Sequence, residues 1–176
     1  MNFEKALEAI AAFLDGKGHR FALAGGLALA VYGLPRTTLD LDLLLDAEAQ
    51  EDFVRFLESL GYETLHRSSG YSNHAHRDSL WGRVDGIYVR GETSEQIFAA
   101  STRSRGPGGR KVLVPRPEHL AAMKVVAMKN DPERTLQDLA DVRFLLHLPG
   151  VDRRQIQGYF ERHGLKESFD AIDPGP

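Results

Sequence analysis

Asp40 and Asp42 stand one residue apart in the run from Leu39 to Asp46, LDLDLLLD. In a strand, alternate side chains share a face, so two carboxylates at this spacing address one spot, roughly 6.5 Å apart along the chain. Leu39, Leu41 and Leu43 are then expected on the opposite face, in a core. Asp is depleted in strands because its side chain competes for backbone hydrogen bonds and resists burial, so a pair on one face asks for a reason. Carboxylate oxygens are what hard cations such as Mg²⁺ take as ligands, usually together with substrate phosphates. The plainer reading is an exposed edge strand with a solvated acidic face. The unbroken run Leu43-Leu44-Leu45 argues against it, since such runs mark strands buried on both faces.

Gly25-Gly26 lies just upstream, between an apolar strand over residues 21–24 and a short buried helix over 27–34. Two glycines there allow a tight turn and a close approach of backbone to ligand, and the free N–H groups of a helix start favour an anion. A plain strand-to-helix turn is the alternative. Arg36 follows the helix, where its planar fork suits a phosphate or a carboxylate, or a solvated turn. Asp85 sits inside an apolar strand over residues 79–89, a costly place for an acid unless it is paired or metal-bound. A pairing with Arg83, or a bulge at Gly86, would also account for it.

The Gly-Gly turn followed by Arg36-Thr-Thr-Leu-Asp40-Leu-Asp42-Leu resembles the signature of the DNA-polymerase-β-type nucleotidyltransferase superfamily. Within it, the similarity is best to the small bacterial group that includes the AbiEii-type toxins of toxin–antitoxin systems. The resemblance implies an α/β (α+β) fold, a mixed β-sheet flanked by helices with a C-terminal helical segment. It implies a metal-dependent transfer of a nucleoside monophosphate from an NTP to an acceptor hydroxyl, on an RNA 3′ end, a protein or a small molecule. It makes Asp40, Asp42 and Asp85 the catalytic and metal-binding carboxylates for two Mg²⁺ ions. Asp85 would be the third carboxylate, a metal ligand that helps deprotonate the attacking hydroxyl. Gly25, Gly26, Arg36, Lys124 and Asp138 would contact the nucleotide. A toxin role would bring an antitoxin protein as partner. Gln137 departs from the group, which more usually has Lys at that place. The competing expectation is a catalytically inactive relative that binds a nucleotide or a partner.

Around this stretch the chain reads as an ordinary globular protein of 176 residues, 42% hydrophobic and 27% charged. A core over residues 1–115, a helical segment over 116–165 packed on it and a frayed tail over 166–176 are the expected divisions. A net charge of −3 gives no global pull toward nucleic acid, and the absence of cysteine excludes disulfides, thiolate metal sites and Cys nucleophiles. No basic n-region precedes a long apolar run and no segment reaches ~18 apolar residues, so a cytoplasmic protein without membrane contact is the expectation.

Helical spacing predicts helices over 3–14, 47–60, 92–100, 117–129, 135–148 and 152–163, and strands over 62–66 and 111–114. Residues 67–78 read as a loop or hairpin connection and 103–111 as a flexible basic loop. His74 and His76 have the spacing of two zinc ligands, but no third is evident, so a solvated loop is the better reading. Lys124 falls near the apolar face of its helix, either reaching a triphosphate as a point charge or snorkelling past the core. In the next helix Leu136, Leu139, Val142, Leu145 and Leu146 are expected inside, with Asp138 and Asp141 on neighbouring faces.

Overall fold

The computed structural model describes residues 1–35 and 37–173. Arg36, a candidate site residue from the sequence, lies outside them. The chain divides into two units, Met1–Pro115 and a second from Arg116 onward.

The first unit opens with helix α1 (Phe3–Lys17). Asn2 starts it by accepting the Lys5 N–H at 3.0 Å, and Gly18 ends it at φ 73, a left-handed turn that returns its N–H to the carbonyls of Asp15 and Leu14. Ala6, Leu7, Ile10, Ala11 and Leu14 form its buried stripe. There follow β1 (Phe21–Leu23), α2 (Gly25–Val31), β2 (Asp40–Asp46), α3 (Gln50–Ser59), β3 (Tyr62–Arg67) and β4 (Tyr71–His76). The unit ends with β5 (Arg83–Val89), α4 (Gly91–Ala100), β6 (Thr102–Arg105) and β7 (Lys111–Val114).

The strands form one sheet in the order β3-β4-β5-β2-β1-β7-β6. It is mixed: β2 pairs β5 and β1 pairs β7 in parallel, while the other neighbours are antiparallel. Together with its flanking helices this is the expected α/β (α+β) architecture, a mixed sheet flanked by helices. The central strand β2 is sandwiched. Leu41, Leu43, Leu44 and Leu45 are all sealed from solvent, as the apolar run predicts. On the side of Leu41 and Leu43, α3 sends Phe53 against the rings of His74 and Tyr88.

Several expectations are corrected here. Leu39 precedes β2 rather than belonging to it and is 75% exposed. Helix α2 starts at Gly25, so both glycines lie in its first turn. Residues 71–76 form a full strand, held by ladders to both β3 and β5, where the composition predicts a loop or hairpin connection. Pairing, not apolar alternation, makes this strand, because its inner residues are Ser72 and His74. The basic stretch near 103–111 is a hairpin, β6 turning through Gly108 and Gly109 onto β7. Arg103 and Arg105 sit on the exposed edge strand β6, where charge discourages edge-to-edge pairing, while Arg110 pairs with Glu8 and Asp15.

In the second unit, helices α5 (Pro117–Asn130), α6 (Thr135–Leu146), α7 (Arg153–Arg162) and α8 (Lys166–Ile172) pack together. The expected frayed tail is therefore a helix as far as Ile172, because Phe169 is buried against Phe160 with ring centroids 5.4 Å apart. Leu136 is 85% exposed, not buried as expected. The inward face of α6 starts two residues later, at Asp138, and continues through Asp141 and Val142. Among the described residues, no helix is long and apolar enough to cross a membrane.

Candidate active site

The acidic face is set by strand register. Asp42 lies directly beside Asp85 in the parallel β2–β5 pair, and Asp40 beside Arg83. Residues at matched register share a face, and Asp40 and Asp42 share one by alternation. All three carboxylates thus rise from the same side of two central strands. The ladder runs unbroken through Gly86, so Asp85 owes nothing to a bulge there.

Gly25 closes the site from above. It sits at φ +53, and a Cβ placed on it would come within 1.8 Å of Asp42 Oδ2. Only glycine lets the start of α2 approach this carboxylate. The connection is tied down by the Ala24 N–H, which donates to the Asp42 carbonyl at 2.9 Å. The N-cap residue of α2, Ala24, makes no side-chain cap hydrogen bond.

The carboxylates differ in environment. Asp85 is only 5% exposed. It accepts from Tyr71 Oη–H at 2.9 Å on one oxygen and from Asn73 Nδ2 at 2.9 Å on the other. Burial pushes its carboxyl above the ordinary value, the two hydrogen bonds pull it back, and the neighbouring Asp40 charge raises it further while Arg83 opposes. Asp40 is more open, yet its Oδ1 is buried and accepts no hydrogen bond among the described residues. The Arg83 Nε stands 3.6 Å from it, beyond hydrogen-bond reach. A buried anionic oxygen without a donor fits a place for a cation. Among the described residues, no three His, Asp or Glu side chains gather closely enough to cage a metal by themselves. Mg²⁺ does not require such a cage, since it commonly binds one or two carboxylates and takes its remaining ligands from water and substrate phosphates.

Tyr71 and Asn73 are the residues that sequence reasoning missed, because residues 67–78 lack apolar alternation. The available signal was the Ser68-Ser69-Gly70 turn between two segments able to pair. His74 and His76 point to the opposite face. His74 bonds Ser72 Oγ at 2.8 Å and Thr64 Oγ1 at 3.1 Å, and burial lowers its pKa from 6.5 to about 4. His76 bonds the Leu60 carbonyl and packs against Tyr62 and Trp81. Both are structural.

Lys124 and Asp138 lie in the second unit, and both are buried. Lys124 Nζ contacts Asp138 Oδ1 at 2.7 Å and Asp141 Oδ2 at 2.8 Å, which fastens α5 to α6. Gln137, one residue from Asp138, is turned to solvent. A hollow of about 150 Å³ beside Asp46 lies away from this chemistry. Among its charged lining residues, Arg20 is paired with Asp46 and Glu95, and Asp46 also accepts from Ser94.

Residues 6–90 match the family described as nucleotidyl transferase AbiEii toxin, type IV TA system, a span that includes the glycine pair and all three aspartates. No curated protein sequence matches the chain. Solved structures share the fold. ANT(2″)-Ia in complex with adenylyl-2″-tobramycin is 14% identical at a TM-score of 0.62, covering 98% of this chain and 97% of that one. The lincosamide antibiotic adenylyltransferase LnuA, lincomycin-bound, is 18% identical at 0.54, covering 82% and 96%. An antigenic nucleotidyltransferase-like protein from Paracoccidioides brasiliensis is 17% identical at 0.56, covering 99% and 97%. The resemblance to nucleotidyltransferases thus holds both in the matched sequence and in the fold.

Proposed function

We propose that this AbiEii-like chain is a metal-dependent nucleotidyltransferase that moves a nucleoside monophosphate from an NTP to an acceptor hydroxyl, releasing pyrophosphate. The observation that carries the reading is the meeting of Asp42, in register with Asp85, and the obligatory Gly25 against the Asp42 carboxylate. Asp40 and Asp42 would hold two Mg²⁺ together with the triphosphate, and Asp85 would complete the ligand set. When bound, the ions would supply charge neutralisation at the α-phosphate and the departing pyrophosphate.

The chain's own groups do the rest. The first turn of α2, with Gly25 and Gly26 following Ala24 as N-cap, offers backbone N–H groups to phosphate oxygens. Asp85, kept less acidic by burial, accepts the proton of the attacking hydroxyl. Lys124 and Asp138 serve as a buried pair that fixes α5 on α6. A direct phosphate contact by Lys124 would require it to leave both carboxylates.

The acceptor is a hydroxyl on RNA, protein or a small molecule; the matched family description, a toxin of a type IV TA system, supports a toxin role, and an antitoxin partner and a cytoplasmic site of action are further parts of this proposal. The test is transfer of label from each α-³²P-NTP with Mg²⁺ into total RNA, protein or aminoglycoside and lincosamide acceptors. Transfer is expected with one acceptor class and is lost in Asp40→Ala and Asp42→Ala. Tight NTP binding without transfer to any class would favour the inactive, nucleotide-binding reading. Growth arrest on expression, abolished by Asp40→Ala, would establish the toxin role.

A further inference from the structure

Strand β4 carries two separate polar networks, one on each face. On the inner face Ser72 bonds Tyr88 Oη at 2.6 Å and His74, and His74 bonds Thr64, which ties β4 to β5 and β3. On the acidic face Asn73 lies directly opposite Asp85 in the antiparallel ladder, and Tyr71 two residues along the same side. Asn73 Nδ2 donates to Asp85 Oδ1 at 2.9 Å and to Tyr71 Oη at 2.6 Å, and Tyr71 donates its one hydroxyl proton to Asp85 Oδ2 at 2.9 Å. The ring is closed: both amide protons and the phenolic proton are used, and each Asp85 oxygen receives one donor. Each oxygen therefore keeps a lone pair for something else.

We infer that Tyr71 and Asn73 are positioning residues that fix the plane of the Asp85 carboxylate for a divalent cation. The inference rests on the metal-dependent reading of the site. The inner network and the main-chain ladders already hold β4, so the outer ring is not needed to keep the strand in the sheet. Without it, Asp85 is drawn toward the Arg83 guanidinium on its own strand and repelled by Asp40, and rotation about its side-chain bonds carries its free lone pairs off the shared spot. Partners that orient a ligand in this way are typically worth about 10–100-fold in metal affinity.

Mn²⁺ binding to the full chain, read from the free-ion signal by electron paramagnetic resonance with a non-hydrolysable NTP present, tests this. Tyr71→Phe keeps the ring and deletes only the donor. Asn73→Ala removes the other. Each is expected to weaken Mn²⁺ binding by about 10-fold or more while the circular dichroism spectrum stays that of the parent and unfolding remains cooperative, at a lowered midpoint because a buried carboxylate loses a donor. Parent-like Mn²⁺ affinity in both folded variants overturns the inference while leaving the proposed site intact. If the parent binds no Mn²⁺, or binds it equally well in Asp40→Ala and Asp42→Ala, the metal-dependent reading itself fails and takes the inference with it.

Discussion

Replacing Gly25 by Ala separates backbone strain from site geometry. At φ +53 an alanine carries the left-handed penalty of about 1–2 kcal/mol, which alone would lower stability without touching function. The larger effect is local. The new methyl would lie 1.8 Å from Asp42 Oδ2 and 2.5 Å from Cγ, whereas ordinary contact begins at 3.4 Å. The carboxylate must therefore retreat by roughly 1.6 Å or swing off the face it shares with Asp40, and a misplacement of ~1 Å already costs about 10²-fold in rate. Gly33→Ala is the control, for Gly33 has φ +98 but no atom within 4 Å of where its methyl would stand. Both variants should lose stability in urea titration. Only Gly25→Ala should lose Mg²⁺-dependent binding of a non-hydrolysable NTP by calorimetry, and at least about 10²-fold in nucleotidyl transfer. Parent-like binding and transfer by a folded Gly25→Ala protein would refute the claim that the helix start and Asp42 form one site.

Asp85→Asn keeps the shape but removes a charge that burial disfavours, so transfer should fall by about 10²-fold or more while the unfolding midpoint stays level or rises; scanning fluorimetry showing a marked fall would contradict this. Lys124→Met leaves two buried carboxylates without their shared cation and should cost about 3–5 kcal/mol in urea unfolding, a loss under ~1 kcal/mol counting against the triad. His74 supplies a pH dependence. Its pKa falls from 6.5 to about 4 on folding, so the unfolded chain binds the proton more readily, and stability is full above pH 6.5 and declines as pH drops toward 4. The total is about 3 kcal/mol. The difference between parent and His74→Gln unfolding free energies should slope across that window and flatten above it; no slope would show that the ring is not held neutral.

The stretch from Phe21 to Asp46 was legible because each of its signals is local. Alternation put Asp40 and Asp42 on one face with Leu41 and Leu43 behind them, and two glycines marked the close approach. Leu39 defeated the same rule because β2 begins one residue later, and a strand's phase says nothing about where pairing stops. The partners of Asp85 were illegible for a different reason. Tyr71 and Asn73 reach it across a strand pair, and a ladder between polar segments leaves no apolar period to read. On α6, the rule that leucines face inward put Leu136 inside. Lys124 reaches from α5 to Asp138 and Asp141, and this bonding turns the acidic side of the helix inward instead. Helix α8 escaped notice because one buried phenylalanine, Phe169, is what holds it.

The buried charges follow two designs, and the contrast separates scaffold from site. Lys124 sits between two carboxylates at 2.7 and 2.8 Å, an arrangement in which the opposite charges offset one another's desolvation, although Asp138 Oδ2 accepts no hydrogen bond among the described residues. Asp85 is held by neutral donors, which stabilise its charge without neutralising it, and the Asp40 charge nearby works against it. Asp40 in turn keeps a buried oxygen that accepts no hydrogen bond among the described residues. Such a face is costly to fold, because like charges are gathered in a region of reduced dielectric, with the Arg83 Nε 3.6 Å from Asp40 Oδ1. A structural network would evolve toward the first design. The second makes physical sense where the balancing charge arrives with the substrate, and a divalent cation escorting a triphosphate is a charge of the required sign and size.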